Sequence, residues 1–200
     1  MSGQFKWQDV TTIHREARPS RHGEELRWIV NRETIVNTAT GDAVTRGTIR
    51  HPGICVIVPF LDDGRIVLMR QYRYAVDDSL WELPAGTLNG RQEGWRVASA
   101  ETPGECAARE LLEETGYRAG ALEKVCECYA MPGSSDELVH VFFARGLVRG
   151  DQALDLGEVI FEVRPFELLE VDDMIERREI RDAKTLIGLF YALRLSRTTR

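Results

Sequence analysis

An α/β fold is what this sequence predicts: a mixed sheet covered by helices, preceded by a small β-rich subdomain. Three observations carry that reading. Short β-branched runs recur along the chain, a helix near its middle has marked ends, and helical periodicity returns near the C-terminus. Size agrees, since 200 residues with 43% hydrophobic and 29% charged suit one folded domain rather than a disordered chain. The net charge of −6 argues against nucleic-acid binding through a broad basic field. A bound polyanion would then need a local cationic device, either a metal ion or a few placed arginines.

Residues 1–50 alternate in Leu26–Val30 and in Thr34–Asn37, which predicts short strands joined by polar turns such as Thr40-Gly41-Asp42. His51-Pro52-Gly53 breaks the pattern and divides a 1–50 subdomain from a 51–200 domain. Ile54–Phe60 and Arg65–Arg70 flank Asp62-Asp63-Gly64, a hairpin signal. Residues 71–102 read mostly as loop, with Trp81-Glu82-Leu83 extended before Pro84. A helix follows: Thr102 is its N-cap, Pro103 its first residue, Glu105 completes a capping box, and Gly116 stops it. Strands are expected over 122–130, 137–145 and 158–164. Helices are expected over Asp172–Glu179 and Ala183–Leu195.

No apolar run approaches a membrane span of about 18 residues, and the first residues lack the apolar stretch of a signal peptide. A cytoplasmic protein without membrane partners is therefore expected. Cys55, Cys106, Cys126 and Cys128 have no zinc-ligand spacing and read as reduced thiols. His14, His22, His51 and His140 have no ligand spacing either.

The most informative segment is Arg109-Glu110-Leu111-Leu112-Glu113-Glu114-Thr115-Gly116-Tyr117. On a helix Glu110, Glu113 and Glu114 share one face. Like charges at this spacing repel by about 0.2–0.5 kcal/mol per pair. A hard divalent cation would offset that, because Mg²⁺ takes one or two carboxylates together with waters and substrate phosphates. A solvated acidic face is the plainer alternative, with Arg109 forming ordinary ion pairs to Glu105 and Glu113.

With Glu101 placed eight residues before Arg109, the segment resembles the Nudix box, G-x5-E-x7-R-E-U-x-E-E-x-G-U. Six fixed positions agree. The leading Gly departs from the pattern, since Trp95 stands at its place and Gly86 lies nine residues further upstream. A polar insertion, Asn89-Gly90-Arg91-Gln92-Glu93-Gly94-Trp95, occupies that stretch. The order Arg50-His51-Pro52-Gly53, Arg70-Gln71-Tyr72-Arg73, Trp81-Glu82-Leu83-Pro84-Ala85-Gly86 and Met131-Pro132-Gly133 is similar to that of ADP-ribose pyrophosphatases. The likeness runs over roughly residues 25–195, and Ile180–Thr185 resembles the start of the family's last helix.

The resemblance implies a Nudix-type α/β/α sandwich and Mg²⁺-dependent hydrolysis of ADP-ribose, or a similar nucleoside diphosphate sugar, to AMP and ribose 5-phosphate. Mn²⁺ is an alternative metal. Glu110 and Glu114 would ligate it with the carbonyl of Ala85, Glu113 would assist, and Arg109 and Glu101 would orient these groups. Arg73, Met131, Pro132, Gly133 and Glu137 would line the substrate site, and Arg73 suits phosphate through its planar fork. Trp28 and Arg46 would contact the nucleotide from a subdomain exchanged within a homodimer. The general base falls in the acidic loop 150–159, with Glu158 as base or metal ligand and Asp155 as its alternative. Other nucleoside diphosphate derivatives remain alternative substrates. A non-catalytic nucleotide-sensing module is disfavoured by the intact glutamates.

Overall fold

The computed structural model describes residues 4–20, 23–152, 154 and 159–198. Its strands are β1 (Phe5–Ser20), β2 (Gly23–Asn37), β3 (Ala43–Arg50), β4 (Ile54–Pro59), β5 (Ile66–Arg73), β6 (Asp78–Glu82), β7 (Ala85–Thr87), β8 (Gly90–Glu93) and β9 (Arg96–Ser99). After helix α1 (Pro103–Thr115) come β10 (Tyr117–Arg118), β11 (Ala121–Tyr129), β12 (Leu138–Arg145), β13 (Val148–Arg149) and β14 (Ile160–Phe166). Helices α2 (Leu168–Glu176) and α3 (Ala183–Thr198) follow. Among the described residues, no helix is long and apolar enough to cross a membrane.

The chain divides into two compact units. The first runs to Gly53 and adds Thr87–Thr102 and Tyr129–Leu138. Its sheet has the order β1-β2-β8-β9, with β3 also on β2. The N-terminal strands are long, not short: β1 has 16 residues and β2 has 15. Register shifts along β1 at Trp7/Asp9, Thr12/His14 and Glu16/Ala17 let so long a ribbon twist. The predicted loop over 71–102 is also corrected. The inserted segment is a hairpin, β8 and β9, closed by Gly94 at φ 62° with Trp95 beside it. A glycine with positive φ at the first loop position suits a two-residue hairpin turn. The hairpin joins the sheet through the pair Leu26↔Gly90.

The second unit holds Ile54–Gly86, Pro103–Cys128 and the chain from Val139 onward. Its main sheet has the order β11-β12-β4-β7, and β12 runs parallel to β4. A second sheet, β14-β5-β6, is antiparallel. Residues alternate faces along a strand. Cys55 of β4 meets Cys106 of α1, with 2.9 Å between the sulfurs. Val58 of β4 instead lies against Gly188 of α3. Helices thus cover opposite faces of β4, giving the α/β/α layering. The core joins Val58, Leu68, Val141, Phe166, Met174 and Leu189.

The Asp-Gly hairpin forms only its turn. A single bridge, Phe60↔Ile66, links the two runs, and β4 and β5 then enter different sheets. The reason is burial: Cys55–Val58 is fully buried, as a strand with both faces covered must be. Helix α2 starts at Leu168, four residues before the expected Asp172. Its N-cap is Glu167, which makes no side-chain cap bond, so the usual start signal is missing.

Candidate active site

Helix α1 carries the carboxylate stripe in the second unit. The stripe is not a solvated face. Glu110 is 3% exposed and Glu114 1% exposed, alongside buried Cys106, Ala107 and Leu111. Buried charge is costly unless it is paired or coordinates a metal. Some pairing is internal. Arg109 Nη1 donates to Glu110 Oε1 at 2.7 Å and to Glu113 Oε2 at 3.0 Å. The main-chain N–H of Ala85 donates to Glu114 Oε2 at 2.8 Å. The next residue, Gly86, lies against Glu110 so closely that a Cβ there would stand 1.9 Å from Glu110 Cδ. Two buried carboxylates therefore converge on the main chain of residues 85–86.

These residues fit a hard divalent cation. Every donor is an oxygen, and the cradle at Gly86 is kept open by the missing side chain. Among the described residues, no group of three or more His, Cys, Asp or Glu side chains forms a ready metal cage.

Arg73 stands on β5 in the same unit. Its Nε and Nη2 donate to Glu82 Oε1 and Oε2 at 2.8 and 2.7 Å, and that bidentate bond raises the guanidinium pKa. Lys184 Nζ reaches the same carboxylate at 2.6 Å. Glu82 is fully buried, and its role was not evident from sequence. Its signal was a glutamate inside the apolar run Trp81-Glu82-Leu83.

In the first unit, Arg46, Pro132 and Gly133 line one cavity of about 430 Å³ together with Trp7, Glu33 and Arg50. Met131, in the same turn, is exposed, and its carbonyl accepts from Ser134 and Ser135 N–H at 3.0 and 2.8 Å. Trp28 does not join them. Its neighbour Ile29 shares the buried face of β2 with Asn31 and Glu33, so Trp28 belongs to the opposite face, where its ring lies 5.5 Å from that of His14. Glu137 sits 3.5 Å from His51. Glu101 accepts from Asn89 N–H at 2.7 Å at the base of the inserted hairpin. Glu158 and Asp155 lie outside the described residues.

Sequence reasoning also missed the network behind this cavity. Glu33, fully buried, accepts from Arg50 at 2.8 and 2.6 Å, from Thr48 at 2.6 Å and from Trp7 at 3.0 Å. Burial alone would raise its pKa, but the bonds from Arg50, Thr48 and Trp7 bring it down to about 2. A depressed carboxylate pKa stabilises the fold above the unfolded value, and the effect is lost as pH falls through the folded one. The window runs from 4.5 to about 2 and is worth about 3 kcal/mol. Urea unfolding at pH 5 and pH 2.5 should show the wild type losing more stability than Glu33→Gln. Equal losses would remove Glu33 from the acid response.

A family model described as the NUDIX domain matches residues 49–187. An ADP-ribose pyrophosphatase of Bacillus subtilis (strain 168) is 36% identical over 157 residues, covering 78% of this chain and 80% of that protein. A GDP-mannose pyrophosphatase of Cronobacter sakazakii is 31% identical over 148 residues, covering 70% and 72%. A crystal structure of an ADP compounds hydrolase superposes with a TM-score of 0.73 at 21% identity, covering 96% of this chain and 92% of that one. At that identity it speaks for the fold alone.

Proposed function

This chain belongs to the Nudix family, and from that premise we propose that it hydrolyses the pyrophosphate bond of ADP-ribose or a similar nucleoside diphosphate sugar with Mg²⁺ or Mn²⁺. The observation that carries the reading is the burial of Glu110 and Glu114 against the main chain of Ala85 and Gly86. Glu110, Glu114 and the Ala85 carbonyl would hold the cation, and Glu113 would assist. When bound, such a cation neutralises phosphate charge and lowers the pKa of a coordinated water. Arg109 steadies Glu110 and Glu113 through one nitrogen. Arg73, its fork fixed by Glu82, offers its positive charge to a phosphate oxygen. Glu158, or Asp155 in its place, accepts the proton of the attacking water.

Arg46, Met131, Pro132, Gly133 and Glu137 contact the nucleoside and sugar portions in this reading, and Trp28 of the partner subunit, on the opposite face of β2 from Arg46, does so across the exchanged dimer. Residues 1–50 form a subdomain exchanged within a cytoplasmic homodimer. The names of the relatives at 36% and 31% identity support the substrate class.

The test is incubation with Mg²⁺ and a panel of nucleoside diphosphate compounds, followed by chromatography. ADP-ribose should give AMP and ribose 5-phosphate. Preferred cleavage of GDP-mannose would move the assignment within the class, and no cleavage of any diphosphate would refute it. Glu114→Gln should lower kcat by at least about 10²-fold with folding intact, since a like-charge repulsion disappears. Full activity in that variant would end the metal assignment.

A further inference from the structure

Helix α3 begins against the segment that leads into Ala85. Thr185 is fully buried, and its Oγ1 accepts the main-chain N–H of Leu83 at 3.0 Å. Asp182 caps the helix, its Oδ2 taking the N–H of Thr185 at 2.9 Å. Lys184 Nζ lies 2.9 Å from Asp182 Oδ1 and 2.6 Å from Glu82 Oε2. Gly188, one turn on, admits Leu83 to the helix surface, because a Cβ there would stand 2.6 Å from Leu83 Cδ1. A single helix terminus thus holds residues 82 and 83 by main chain and side chain together.

What it holds is stiff. Pro84 restricts Leu83 to extended backbone, and the Pro84 carbonyl is taken by the N–H of Ile57 at 2.9 Å. Leu83, held by α3, and Pro84, held by β4, thus together fix the main chain that enters Ala85 and Gly86, where it meets Glu114 and Glu110. Glu82, gripped by Lys184, is also the carboxylate that fixes the fork of Arg73.

We infer that Thr185 and Lys184 are positioning residues for the site. The start of α3 sets where the main chain of residues 85–86 meets the two buried carboxylates, and it holds Glu82 so that Arg73 keeps its aim. The inference rests on the metal reading of Glu110 and Glu114.

The test measures Mn²⁺ binding to the whole chain without substrate, by loss of the free-ion resonance signal, beside Mg²⁺-dependent kinetics and thermal unfolding. Thr185→Val keeps shape and removes the acceptor for Leu83. It should weaken Mn²⁺ binding about 10-fold, as loss of groups that orient metal ligands does, and Thr185→Ser should restore it. Lys184→Met should raise KM more than it lowers kcat, through Arg73. A Thr185→Val variant with a lower Tm but wild-type Mn²⁺ affinity overturns the inference, because the contact would then serve stability only. If Thr185→Val does not fold, Lys184→Met decides, and an unchanged KM overturns the inference. A wild-type chain that binds no Mn²⁺ overturns the metal reading and the inference with it. Binding by the wild type without loss in the variants overturns the inference alone.

Discussion

Gly86→Ala is expected to fold like the wild type and to lose at least about 10²-fold in kcat. The added methyl would stand 1.9 Å from both Cδ and Oε1 of Glu110, so something must move. Glu110 moves most easily, because the clash lies at the far end of a flexible side chain and not in backbone. The layer around it, including Cys106, Ala107 and Leu111, is closed and need not shift. The displaced carboxylate then leaves the main chain of residues 85–86 and its place beside Glu114. Circular dichroism and Tm should stay near wild type while the Mg²⁺ concentration for half-maximal rate rises. Unchanged turnover in a folded Gly86→Ala would show that Glu110 need not occupy this cradle.

Arg50→Ala should cost about 3–5 kcal/mol of stability, the loss that follows when one partner of a buried ion pair is removed. Arg50 supplies two bonds to Glu33 and one to Asp136, the last at 3.1 Å. Its Cζ also lies 5.0 Å from the centre of the Trp95 ring. Truncation leaves Glu33 charged and without access to water. The paired control is Glu33→Leu with Arg50→Met, since replacing both partners by apolar groups is often near neutral. Urea midpoints of the single and double variants decide. A single-variant loss below about 1 kcal/mol would place this pair with surface ion pairs.

The parts of the fold that were legible in the sequence are those specified by neighbours in the chain. Thr102, Pro103 and Gly116 mark α1 locally, and the helix runs from Pro103 to Thr115 with Gly116 at φ 71°. The shared face of Glu110 and Glu114 follows from helical period alone. Its burial does not, because that depends on residues 85–86 arriving from elsewhere. The β8–β9 hairpin escaped for a related reason. Its strands have four residues each, and Gly90-Arg91-Gln92-Glu93 shows no apolar alternation. Its anchor is Leu26, far away in sequence. On β2, alternation was present but disguised, since Asn31 and Glu33 occupy buried positions where apolar residues are the usual sign. Their partners, Trp95 and Arg50, are set by register and not by proximity in sequence. The acid loop with Glu158 offers no comparison, since it lies outside the described residues.

The inserted hairpin also bears on how the molecule avoids sticking to itself. Strand β3 covers β2 only from Ile29 to Val36. Beyond Ile29 that side of β2 would present unpaired main-chain groups beside buried Leu26, a template for another chain. Strand β8 pairs there instead. The sheet then ends on β9, a four-residue strand opened by Arg96, and short, charged borders of this kind recruit new strands poorly. The β8–β9 hairpin thereby covers part of the edge of β2 that β3 leaves open.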